Sequence, residues 1–232
     1  MRPITPADEE IFQTVSLAGK LGRTAPVLAQ FERRYNADPG DPDAAFPYAL
    51  ALTAALPSVT TDFEIHAAFG ATIEVLGEVV TASPEHWLAR YCRARLRALV
   101  PSSYSVFAIH TESELAKAAA DLNELVAQQS EQPARSYFAG PYVLAAVVRW
   151  SAEESGTPVA DGPGSAELLA GAAGQPRTRV PYQALGAMLC EPFIALYDRS
   201  TGPERELAAE LMAAMFPDQA AVKRALGRQP VR

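Results

Sequence analysis

The sequence has few of the residues on which catalytic and metal sites depend. Its 232 residues include three histidines and two cysteines, and the histidines at positions 66, 86 and 110 fall in different predicted elements. There is no His-Glu-x-x-His metal motif, no Cys-x-x-Cys pair, no glycine-rich phosphate loop and no Gly-x-Ser-x-Gly nucleophile elbow. We therefore expect no metal and no cofactor, and we favour a non-enzymatic protein over an enzyme.

Long apolar runs and excess positive charge are also lacking. No stretch of about 18 apolar residues is present, so we expect no membrane span, and the first ten residues lack the apolar core of a signal peptide. The net charge of −7 disfavours nucleic-acid binding, which needs a basic surface. Cys92 and Cys190 lie far apart in helical patterns, so we interpret them as buried, reduced thiols of a cytoplasmic protein.

The sequence is rich in signals for helix starts. Thr5-Pro6, Asp41-Pro42 and Ser83-Pro84 each place a capping residue before a proline, which suits the first helical turn. The dipeptide Pro-Tyr, at positions 47, 141 and 181, leads into three runs rich in alanine and leucine, and we predict that each dipeptide opens a helix. Gly70 and Gly77 share one face of a predicted helix and indicate a closely packed neighbour. Since no segment alternates as a strand does, we predict an all-α protein.

The cap positions 5, 24, 41, 61 and 83 recur about one helix apart, which predicts antiparallel helical hairpins stacked as an α-solenoid or an irregular bundle. The stretch Pro84-Glu85-His86-Trp87-Leu88-Ala89-Arg90-Tyr91-Cys92-Arg93-Ala94 resembles the first helix of a tetratricopeptide repeat. The resemblance covers residues 1–154, although Tyr91 stands where the family has glycine. It implies a binding or scaffold role.

We predict three regions along the chain. Residues 1–154 form the helical-repeat domain. Residues 155–177 are rich in glycine and proline and form a loop around a short helix at Ser165–Ala172. Residues 178–232 form C-terminal helices that pack on the main domain, where Pro192 should kink or break one helix.

The predicted helix 84–100 carries the main candidate site. At 100° per residue, a cationic stripe about 60° wide faces away from the apolar side formed by Leu88, Cys92, Leu96 and Leu99. The stripe consists of His86, Arg90, Arg93 and Arg97, with Trp87 and Tyr91 on one flank. We expect this row to face solvent. It either binds an acidic peptide, a phosphate or a carboxylate, or pairs with neighbouring glutamates.

The connector that follows, residues 101–110, offers an alternative. Its Tyr104, Phe107 and His110 either line a pocket beside the arginines or cover the end of the bundle. The sequence thus favours a scaffold that recognises a partner protein or peptide, possibly an acidic one. The alternative is a small-molecule-binding bundle or an enzyme with a pocket under the 101–110 loop, for which a small acidic ligand is an option.

Overall fold

The computed structural model describes residues 5–104, 111–131, 139–175 and 183–227, and only the backbone at 100–104, 111, 131 and 183–188. Within these ranges all regular secondary structure is helical and no strand occurs, which confirms the predicted all-α class. The earlier helices are α1 (Pro6–Lys20), α2 (Thr24–Ala37), α3 (Pro42–Ala55), a 3-10 turn (Leu56–Ser58), α4 (Asp62–Ala82), α5 (Trp87–Tyr104) and α6 (Thr111–Glu131). The later helices are α7 (Ala139–Ser155), α8 (Ser165–Ala173), α9 (Gln183–Arg199), α10 (Gly202–Met215) and α11 (Ala220–Leu226).

The chain forms two compact units, Met1–Asp121 and Leu122–Arg232, and the division falls within α6. In the first unit, α3 packs against α1, α2 and α4, and α4 also packs against α5. In the second unit, α7 packs against α8 and α9, while α10 packs against α8, α9 and α11. The boundary that we expected at residue 155 therefore differs from the observed one, because α8 packs closely on the helix that precedes it.

Local capping chemistry sets several of the helix starts. At α1, the amide of Asp8 donates to Thr5 Oγ1 at 3.2 Å, and the amide of Thr5 donates to Asp8 Oδ2 at 2.8 Å. Asp41 caps α3 by accepting the amide N–H of Asp43 at 2.9 Å. These reciprocal bonds satisfy amides that have no partner inside the helix, so both starts lie where the sequence predicted.

The Pro-Tyr dipeptides do not share one role. Pro141 lies in the first turn of α7, as predicted, whereas Pro47 lies in the interior of α3, which begins at Pro42. The prediction that Pro47 opens a helix was wrong, because the Asp41 cap had already started that helix. Pro181 lies outside the described residues. Helix α9 continues through Pro192 without a break.

The closely packed glycines are also not the ones predicted. Gly70 is exposed with open space around it, and Gly77 has ordinary room beside the guanidinium of Arg93. The tight positions lie in the second unit. A Cβ at Gly171 would lie 2.7 Å from Cε1 of Tyr142, and a Cβ at Gly162 would collide with the guanidinium of Arg149.

The segment 156–164 is held by polar contacts within the second unit. Asn123 Nδ2 donates to the carbonyl of Asp161 at 2.9 Å, and the amide of Thr157 donates to the carbonyl of Ala152 at 2.9 Å. The predicted short helix follows this segment as α8, with its expected start at Ser165. The segment 156–164 is therefore anchored to α6 and to the end of α7.

Among the described residues, α4 is the one helix long and apolar enough to cross a membrane by length and composition. The core of the first unit includes much of its apolar face. Ile65, Phe69, Leu76 and Val79 are all buried. By packing against both α3 and α5, α4 helps to position the two surfaces described next.

Candidate binding site

The predicted arginine row lies against α6 and converges on one carboxylate. Arg93 Nε and Nη2 donate to the two oxygens of Asp121 at 2.9 and 2.6 Å, which is a bidentate contact. Arg97 Nη1 donates to Asp121 Oδ2 at 2.9 Å, and its Nε lies 3.3 Å from Glu114 Oε2. Arg90 is further away, with its Nη1 at 3.6 Å from Asp121 Oδ1. Two acidic side chains thus offset most of the charge of three arginines.

The expectation that this row faces solvent was wrong. The side chains of Arg90, Arg93 and Arg97 retain 15%, 14% and 15% of their exposure, and that of Asp121 retains 6%. Burial lowers the pKa of Arg97, and the nearby carboxylate of Asp121 opposes that effect. The stripe is a packing surface because α6 presents Asp121 to it, while Leu88, Cys92, Leu96 and Leu99 are buried as predicted.

The remaining candidates on α5 are interior residues. His86 is 2% exposed, its ring is tilted against that of Phe46 with 4.6 Å between ring centroids, and its Nδ1 accepts the amide N–H of Ala89 at 3.3 Å. It therefore caps α5, which begins at Trp87 rather than near Pro84. Trp87 and Tyr91 are each 2% exposed. Their rings cannot form the exposed flank that the sequence suggested.

Three further candidate residues come from the connector 101–110. Phe107 and His110 are outside the described residues, and Tyr104 ends α5 with only its backbone described. Sequence reasoning also missed Arg95, which is 1% exposed and lies 5.4 Å from the ring centroid of Tyr91. Its position among the apolar residues of α5 could have indicated that Arg95 is buried, because a charged residue on the packed face of a helix has to be buried.

A second surface in the first unit is a partly open cleft of about 390 Å³. One wall is the turn between α2 and α3 with the start of α3, and the other is the last turns of α4. Its lining includes Pro39, Gly40, Pro42, Glu78, Thr81 and Ala82. Buried Ala45 and Val79 also line it, so the surface is mostly apolar with one carboxylate.

Two tyrosines lie beside this cleft. The Tyr35 hydroxyl donates to Glu78 Oε2 at 2.7 Å, and the ring of Tyr35 stacks on that of Tyr48 with centroids 5.0 Å apart. The hydrogen bond to Glu78, with burial and the charges of Glu78 and Glu74, raises the pKa of Tyr35 to about 12. Burial and the nearby charge of Glu32 raise the pKa of Tyr48. The phenols therefore stay protonated and uncharged near neutral pH.

The titratable residues do not assemble into a metal-binding group within the part of the chain that the structure describes. There, no three His, Cys, Asp or Glu side chains lie close enough together to hold a metal ion. His66 is exposed on α4 and His86 is buried on α5. Cys92 and Cys190 are buried, and burial raises the pKa of the Cys190 thiol to about 11.

Among the described residues of the first unit, the cleft and the arginine row both have distinctive chemistry, and the cleft is open to solvent. Comparisons of the chain with protein-family models, curated proteins and solved structures gave no match.

Proposed function

We propose that the protein is a non-enzymatic, helical binding protein that holds a partner protein or peptide by one apolar side chain in the α3–α4 cleft. The observation that carries the proposal is the cleft itself, with its apolar lining and about 390 Å³ of volume. Apolar anchors that fill such pockets contribute most of the binding energy at many protein interfaces.

The openness of the cleft favours a macromolecular partner over a small ligand. Small-molecule sites bury most of the ligand surface, whereas Gly40, Glu78 and Ala82 in this lining are exposed. A partner chain would cover the open side with its own backbone. The resemblance to tetratricopeptide proteins supports the same role, since stacked helices in such families present partner-binding surfaces.

The arginine row is not the anchor in this proposal. Arg93 and Arg97 already donate to Asp121, so an acidic partner would have to displace a carboxylate that is almost fully buried. The chain has only two cysteines and both are buried, which suits a reducing compartment, and the proposal accordingly includes a cytoplasmic location.

Selection of peptides against the cleft tests the proposal. A random peptide library is selected on the immobilised full chain, and the enriched peptides are compared on Ala82→Phe and Ala71→Phe. Ala82 lines the cleft, whereas Ala71 is exposed on the same helix outside the lining. Since the new ring fills the cleft, we expect Ala82→Phe to lose at least about tenfold in affinity, as loss of an interface anchor does.

Ala71→Phe is the matched control and should retain the affinity of the unchanged chain. Equal thermal stability of the two variants would show that the loss is local. Enriched peptides that bind Ala82→Phe as tightly as Ala71→Phe would contradict the proposal, as would a selection that enriches none.

A further inference from the structure

The walls of the cleft carry negative charge that is not neutralised within the described part of the chain. Glu78 lines the cleft, and Glu74 and Glu32 lie near the two tyrosines beside it. All three glutamates are exposed, and none of them forms an ion pair with a described lysine or arginine. Arg33 and Arg34 of α2 are exposed and form no ion pair with these glutamates.

The end of α4 adds partial negative charge to the same place. Helix carbonyls at a C-terminus lack partners and form the negative end of the helix dipole, which favours a nearby cation. The last turn of α4 contains no basic residue, and its Thr81 and Ala82 line the cleft. On the opposite wall, Asp41 uses its carboxylate to cap α3, while exposed Asp38 adds a further charge.

The stacked tyrosines extend this surface in a way that also suits a cation. The rings of Tyr35 and Tyr48 are 19° from parallel, and both residues are half-buried. The face of a tyrosine ring attracts a guanidinium or an ammonium group. Because the Tyr35 hydroxyl donates to Glu78, the carboxylate is held beside the rings with its second oxygen left as an acceptor.

We infer that the partner segment carries a lysine or arginine next to the apolar side chain that enters the cleft, with the cation held by Glu78 and the tyrosine pair. This inference rests on the proposed function and specifies the charge of the partner. The inferred charge of the partner is opposite to that of the acidic partner suggested by the arginine row, since those arginines face Asp121.

Degenerate peptide pools with a fixed centre test the inference. Fluorescently labelled pools with central Lys-Leu, Glu-Leu or Lys-Ser are titrated with the full chain at low salt, and anisotropy gives the affinities. We expect the Lys-Leu pool to bind about tenfold more tightly than the Glu-Leu pool, because unlike charges attract and like charges repel at the cleft. In Glu78→Gln, we expect this preference to fall by about threefold to fivefold, the usual scale of an exposed ion pair.

The glutamine variant keeps an oxygen that accepts the Tyr35 hydroxyl, so the wall keeps its shape. Glu10→Gln removes an exposed carboxylate from α1 and should leave the preference unchanged. Equal binding of the Lys-Leu and Glu-Leu pools, both tighter than the Lys-Ser pool, would overturn the charge inference and leave the apolar anchor standing. A Lys-Ser pool that binds as well as the Lys-Leu pool would instead overturn the proposed function.

Discussion

Asp121 is the residue of α6 on which the arginines of α5 converge. Its carboxylate accepts from Arg93 and Arg97 and lies near Arg90, and none of these side chains is more than 15% exposed. A buried ion pair adds little net stability compared with apolar packing, but the loss of one partner leaves the other charges desolvated and uncompensated. The position therefore tolerates change poorly, even though it need not touch a ligand.

Asp121→Asn should lower the free energy of unfolding of the first unit by about 3 kcal/mol, because three largely buried guanidiniums lose their shared anion. Each unit contains one tryptophan, so the fluorescence of Trp87 in a Trp150→Phe background follows the first unit during urea unfolding. Glu112→Gln, an exposed change on the same helix within the first unit, is the control and should cost about 0.5 kcal/mol or less. Equal losses in the two variants would contradict this account of the cluster.

At the scale of elements, the sequence predicts features that depend on residues close together along the chain. Thr5 and Asp41 act on amides within three residues, so the starts of α1 and α3 could be predicted from short motifs. The prediction that the arginine row faces solvent was wrong because the carboxylates that pair with it lie on another helix, α6. Glu114 and Asp121, seven residues apart, share one side of α6 and match the spacing of the arginines on α5. This matching spacing would have indicated the ion pairs if α5 and α6 had been recognised as neighbours.

The cleft could not be predicted in this way. The hydroxyl of Tyr35 meets Glu78 across 43 residues of sequence, and no short motif links the two. Its walls come from a turn and from a helix end, and only the packing of α3 on α4 brings these together.

The glycines give a test at the same scale. Gly70→Ala should stabilise the protein by about 0.5–1 kcal/mol, because alanine favours the helix and the surrounding space is open. Gly171→Ala should destabilise it by about 1–2 kcal/mol, since the clash with the buried Tyr142 ring outweighs the helical gain. Urea unfolding in single-tryptophan backgrounds measures both changes, through Trp87 for Gly70 and through Trp150 for Gly171. Stabilisation by both substitutions would show that α8 has room to move on α7.

At the scale of the whole molecule, the arginine row and the cleft differ in whether their charges are paired. Arg90, Arg93 and Arg97 are offset by Asp121 and Glu114, while carboxylates around the cleft remain exposed in a chain whose net charge is −7. The proposed binding through the cleft therefore rests on the distribution of charge and not on the abundance of arginine. A basic, apolar partner segment matches that distribution.

Mapping of backbone amide shifts in the isotopically labelled full chain tests this central claim most directly. On addition of a peptide from the selection, we expect the largest shifts at Gly40, Ala45 and Thr81, which line the cleft, and little change at Arg93 and Arg97. Largest shifts at Arg93, Arg97 and Asp121, with the cleft amides unmoved, would contradict the account.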